Sequence, residues 1–83
     1  MFSANENGFF LTFGNGYQIS VKWDSPSRNG YYCQMNEEGE CVAAEVAVFE
    51  PSGKFVRLSE HDDVLSSQSS NEVAALITKY SSI

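Results

Sequence analysis

The chain has 83 residues and carries 11 acidic against 5 basic side chains, a net charge of −6. That length sets one domain with a modest core, and the acidic balance lacks the basic footprint of a protein that grips DNA or RNA directly. With 42% hydrophobic and 13% aromatic residues, the chain is too apolar to stay disordered.

Residues 1–7 read as a polar lead-in that frays, leaving 1–8 flexible at the edge of a single domain spanning 1–83. The lead-in has no basic residues and no apolar run, so no secretory leader is expected. No stretch approaches the ~20 apolar residues of a membrane span. These features predict a soluble, intracellular protein. Cys33 and Cys41 are then expected to be reduced thiols, with a disulfide as the alternative in an oxidising compartment. Their spacing matches no usual zinc pair, and the chain has a single histidine.

Phe9 to Trp23 forms the first hairpin, turning at Gly14-Asn15-Gly16. A two-residue Asn15-Gly16 turn would set Phe13 against Gln18 and Leu11 against Ser20. A three-residue loop with Gly16 in the left-handed region instead pairs Phe13 with Tyr17, Leu11 with Ile19 and Phe9 with Val21. Thr12 then faces Gln18 and Phe10 faces Ser20. The second register keeps one face apolar and is predicted to win. It leaves Phe10 as an aromatic on the polar face.

Residues 24–40 form a long loop rich in turn formers, from Ser25 and Pro26 to Asn29 and Gly30. Arg28 lies beside Tyr31 and Tyr32 in this loop. A guanidinium with two rings can anchor a protein interface or grip a nucleotide by charge and stacking. It can also be a solvated arginine beside tyrosines that cover the core. The acidic Glu37 and Glu38 follow and are candidates for the same contact surface.

Residues 41–58 read as a second hairpin. Cys41 to Phe49 alternates, Pro51 to Gly53 turns, and Phe55 to Leu58 returns. The predicted pairs are Glu50–Lys54, Phe49–Phe55, Val48–Val56 and Val46–Leu58. Residues 59–68 are a polar connection in which Val64 and Leu65 dip into the core. A helix over 69–80 follows, with Ser69 and Glu72 forming a capping box. Val73, Leu76, Ile77 and Tyr80 lie along one helical face, and so short a helix must pack on the sheet.

The predicted fold is α+β: a small antiparallel four-stranded sheet of two hairpins, with the C-terminal helix packed on one face. The expected core holds Leu11, Phe13, Ile19, Val21, Trp23, Val46, Val48, Val56, Leu58, Val73, Leu76 and Ile77. Phe10, Phe49 and Phe55 then share the uncovered sheet face, an apolar patch of the kind that meets a partner or a second copy.

Catalytic and metal chemistry is poorly supported. Glu60-His61-Asp62-Asp63 groups the right residue types, but adjacent residues rarely converge on one ion, and the glycine and spacing of a calcium loop are missing. Cys33 with His61 as its base has no evident third group. The expectation is no enzyme, no metal and no cofactor. Scattered acids such as Glu45, Glu50 and Asp63 suit a solvated surface better than a nucleic-acid mimic.

Several segments together resemble a group of small, uncharacterised bacteriophage and prophage proteins. They are Gly16 to Val21, Tyr32-Cys33, Ala44 to Phe55 with its Pro51-Ser52-Gly53 turn, Asp62 to Leu65, and Ser70 to Val73. The resemblance implies an accessory protein in the cytoplasm of an infected bacterium. The leading expectation is a non-enzymatic inhibitor of an antiviral defence system such as CRISPR, binding a defence protein or effector complex. Its contact residues would be Arg28, Tyr31, Tyr32, Phe10, Phe49, Phe55, Glu37 and Glu38, with homodimerisation as a further option. The alternative is an oligomeric protein that sequesters a nucleotide immune signal, and the third is a structural or virion-associated role.

Overall fold

The first hairpin folds in the register its apolar pattern selects. Gly16 has φ +91°, and its N–H donates to the Phe13 carbonyl at 3.0 Å. The Phe13 N–H in turn donates to the Tyr17 carbonyl at 2.8 Å. The flanking strands are β2, Gly8–Thr12, and β3, Gln18–Lys22. They pair Phe9 with Val21, Phe10 with Ser20, Leu11 with Ile19 and Thr12 with Gln18. Gly8 is required by close approach: a Cβ there would lie 2.5 Å from the Val21 carbonyl oxygen.

The computed structural model describes residues 1–5, 8–23, 43–60 and 63–83. In chain order the remaining elements are β1 (Phe2–Asn5), β4 (Ala44–Phe49), β5 (Val64–Gln68) and α1 (Ser70–Ser81). The five strands form one antiparallel sheet in the order β1-β2-β3-β4-β5. The class is the expected α+β arrangement of a small antiparallel sheet with a C-terminal helix, but the described residues alone form five strands rather than the expected four.

Three expectations about the strands are corrected. The lead-in expected to fray contains β1, which pairs along β2 with Phe2 opposite Leu11 and Ala4 opposite Phe9. Alternation that is weak by itself is enough when a strand edge offers a ladder and matching apolar neighbours. The return strand expected at 55–58 is not a strand. The turn forms as predicted, with the Glu50 N–H donating to the Lys54 carbonyl at 2.8 Å and a bridge between Phe49 and Phe55. After the Val56 N–H donates to the Val48 carbonyl at 2.8 Å, the ladder stops.

The edge of β4 is taken instead by β5, a strand within the stretch expected to be only a polar connection, with Val46 opposite Leu65 and Ala47 opposite Val64. The pair Val46–Leu58 therefore does not form. Val56 and Leu58 still pack against the core, so they keep their burial while giving up their place in the sheet. An irregularity between Ala44 and Val46 lets β5 carry one extra residue, and Ser67 there has φ +56°. That is a β-bulge, which bends the strand near the start of α1.

α1 lies against β3, β4 and β5. Its predicted face is the packed one: Val73 and Tyr80 are buried, and Leu76 and Ile77 pack on the cluster. Beneath it, Ile19 faces Val48 and Val21 faces Val46, and these four side chains are the most completely buried. Each contributes about 1.5–3 kcal/mol through removal from water. The other expected core residues, Leu11, Phe13, Trp23, Val56 and Leu58, surround them as partly buried neighbours.

Candidate functional site

The face of the sheet opposite α1 carries the even-numbered positions of β2 and β3 and the odd-numbered ones of β4. Cross-strand rows run Phe10–Ser20–Ala47 and Thr12–Gln18–Phe49. Phe10 and Phe49 therefore sit diagonally across β3. Their ring centroids are 6.3 Å apart, an approach that the small side chains of Ser20 and Ala47 allow. Phe49 meets Phe55 at 4.7 Å, and Phe55 is 50% exposed. The three rings form one continuous aromatic row across β2, β4 and the turn that follows β4. Such tilted ring pairs are favourable beyond their area alone.

Beside the row is a concavity of about 350 Å³ lined by Ser3, Gly8, Phe10, Ser20, Lys22 and Phe49, among others. Gly8 helps to open it by presenting no side chain. Lys22 is exposed at the end of β3, opposite Glu45. At the other end of the row, the Gln18 amide nitrogen reaches the Thr12 hydroxyl at 3.4 Å. Among the described residues the surface is thus an aromatic platform with hydroxyls and the Lys22 amine at its margin. It can seat an apolar side chain or a planar ring, with the amine available to an acidic group.

A second concavity, about 610 Å³, lies on the helix side between Phe9, Val21, Trp23, Ala44, Gln68 and Val73. Phe9 and Trp23 pack at 6.1 Å along its wall.

Of the residues singled out in the sequence, the structure brings together Phe10, Phe49 and Phe55. Arg28, Tyr31, Tyr32, Glu37 and Glu38 lie outside the described residues, as do Cys33, Cys41, His61 and Asp62. Among the described residues no group of three or more His, Cys, Asp or Glu side chains is placed to hold a metal ion. None of the described helices is long and apolar enough to cross a membrane. Ser3 was missed as a site residue because its strand was not expected. Its only sequence signal is its position in an uncharged, alternating stretch.

No protein-family model, curated protein or solved structure matches this chain.

Proposed function

We propose that this chain is a non-enzymatic binding protein whose working surface is the open sheet face. The observation that carries this reading is the aromatic row of Phe10, Phe49 and Phe55 on the face that α1 leaves bare. Aromatic side chains contribute most where they become buried at the centre of an interface. Partly exposed rings held in one row are already arranged for that role at little entropic cost. The net charge of −6 favours approach to a basic partner surface.

The partner we assign is a bacterial antiviral defence protein, such as a CRISPR effector complex, met in the host cytoplasm. This assignment rests on the resemblance to small phage proteins. Arg28, Tyr31, Tyr32, Glu37 and Glu38 belong to the same proposed contact on sequence grounds. A second reading, sequestration of a nucleotide immune signal, is favoured by one observation. The 350 Å³ concavity sets Lys22 beside Phe10 and Phe49, a cation next to faces on which a base can stack.

The test is phage plating on an immune bacterial strain that expresses the chain. Wild type restores plaques, whereas Phe49→Ser with Phe55→Ser does not, although the doubly substituted protein remains folded. Plaque recovery by that variant equal to wild type sinks the open-face assignment. A rise in melting temperature with cyclic nucleotides, with the ligand recovered intact, selects the second reading.

A further inference from the structure

We infer that the outer edge of β1 is a seam through which two copies of this chain pair antiparallel and join their sheets. The starting point is the phase of the hydrogen bonds. The Met1 amino group donates to the Thr12 carbonyl at 2.8 Å, and the Thr12 N–H donates to the Met1 carbonyl at 2.9 Å. Bonded and non-bonded pairs alternate along an antiparallel ladder. Phe2 and Ala4, opposite Leu11 and Phe9, therefore turn their N–H and C=O groups away from β2. Among the described strands β1 is the terminal one, so these groups form a row along its outer edge.

The two edges of the sheet differ. β5 carries the bulge at Ser67, with φ +56°, a device that spoils a strand as a template for further pairing. β1 pairs in regular register and has no proline and no charged side chain from Met1 to Asn5. In a protein of net charge −6, that makes it an edge where a second copy can approach without setting acidic side chains together.

The register of the joined strands follows from this geometry. A two-fold axis normal to the sheet at Ser3 sets Phe2 opposite Ala4 of the second copy, and Ala4 opposite its Phe2. Both pairs are then of the bonded kind, and all the outward groups of Phe2 and Ala4 find partners. Moving the axis to Phe2 or to Ala4 satisfies only half of them within the strand. Moving it by half a step would turn one sheet over relative to the other.

The same register extends the apolar rows. Val48, Ile19, Leu11 and Phe2 lie in line across one copy, and Val46, Val21, Phe9 and Ala4 form the neighbouring line. At the seam the first row of one copy runs into the second row of the other, so each Phe2 meets an apolar neighbour. α1 does not extend over this edge, and Phe2 is 86% exposed in the single chain. Self-complementarity of both backbone and side chains is what selects a second copy as the occupant. A ladder this short lies well below the ~1,200 Å² of a stable standard interface. The dimer is therefore reversible and concentration-dependent, and it leaves the aromatic face free.

Sedimentation velocity on protein without an N-terminal tag tests the seam, from low micromolar to near-millimolar concentration. Wild type is expected to move from monomer to dimer, while Phe2→Asp and Ala4→Pro remain monomeric at the highest concentration. Ala4→Pro removes only an outward N–H, so the β1–β2 ladder is kept. Phe55→Ser should dimerise like wild type, which separates this seam from the open face. Hydrogen exchange on unaltered protein gives a readout independent of variants. The amides of Phe2 and Ala4 should gain protection with concentration, while that of Ser3 is protected throughout. A strict monomer, dimerisation of both edge variants, or Phe2 and Ala4 amides that exchange equally fast at every concentration would overturn the inference.

Discussion

Asn15 does more than turn the chain. Its side-chain carbonyl accepts from the Tyr17 N–H at 3.0 Å, which closes the loop locally. Its amide nitrogen donates to the Tyr80 carbonyl at 2.8 Å and to the Ile83 carbonyl at 3.1 Å. The Tyr80 carbonyl is in the last turn of α1, where backbone carbonyls lack helical partners, and Ile83 follows the helix end. Tyr17 and Tyr80 pack beside this contact with centroids 5.9 Å apart. One residue thus fixes both the hairpin and the end of the helix above it. Gly16 beside it cannot vary freely: it needs φ +91°, and a Cβ there would lie 3.1 Å from Pro51 Cβ, in the turn after β4. Asn15→Ala should cost about 1–3 kcal/mol, because it leaves the part-buried Tyr80 carbonyl without this donor as well as losing the bonds. Asn15→Asp should cost at least as much, since a carboxylate would face two carbonyls and the negative end of the helix dipole. Urea unfolding followed by circular dichroism checks both; midpoints equal to wild type would show that the loop does not hold the helix.

At the scale of the element, α1 shows how local signals decide a boundary. Ser69 has extended backbone (φ −71°, ψ 167°), and its hydroxyl accepts from the Glu72 N–H at 3.2 Å. The Glu72 carboxylate accepts from the Ser69 N–H at 2.9 Å. That backbone bond first, and the Ser69 hydroxyl second, hold the Glu72 carboxyl below its ordinary value. The charged form is therefore favoured by folding. Its contribution is complete above the ordinary glutamate range and is lost as pH falls through the lowered folded-state value. Thermal melts across the acid range should show this loss in wild type and less of it in Glu72→Gln. Ser69→Ala should cost about 1 kcal/mol at neutral pH, read as a lower melting temperature. The segment at 55–58 is the opposite case. Its apolar residues match a return strand, yet beyond the Phe49–Phe55 bridge and the Val56–Val48 bond the β4 edge is taken by β5.

At the scale of the whole molecule, the helix side of the sheet holds the buried core, and the other side carries the proposed contact surface. A domain of this size is stable by only about 4–12 kcal/mol. Ile19 is fully buried between the sheet and α1, so Ile19→Ala should cost about 2–5 kcal/mol and bring the protein close to unfolding. Phe55, half exposed on the other face, should tolerate Phe55→Ser with a loss of only about 1 kcal/mol. Paired denaturation curves measure this contrast. A loss for Phe55→Ser as large as that for Ile19→Ala would make the aromatic row part of the core rather than a surface.

Local chemistry was enough to read several features from the chain alone. The register of the first hairpin, the capping box and the buried stripe of α1 all depend on neighbours close in sequence: a glycine at a left-handed position, a serine three residues before a glutamate, and apolar spacing of two or of three and four. The convergence of Phe10, Phe49 and Phe55 was also legible, because strand alternation assigns each side chain to a face. Only the tertiary structure decided which segments complete the sheet. Phe2–Asn5 and Val64–Gln68 become strands because exposed backbone on β2 and β4 offers them ladders, a preference that does not reside in their own residues. For the same reason Asn15 looked like a turn residue alone: the Tyr80 carbonyl it holds belongs to a helix more than sixty positions away.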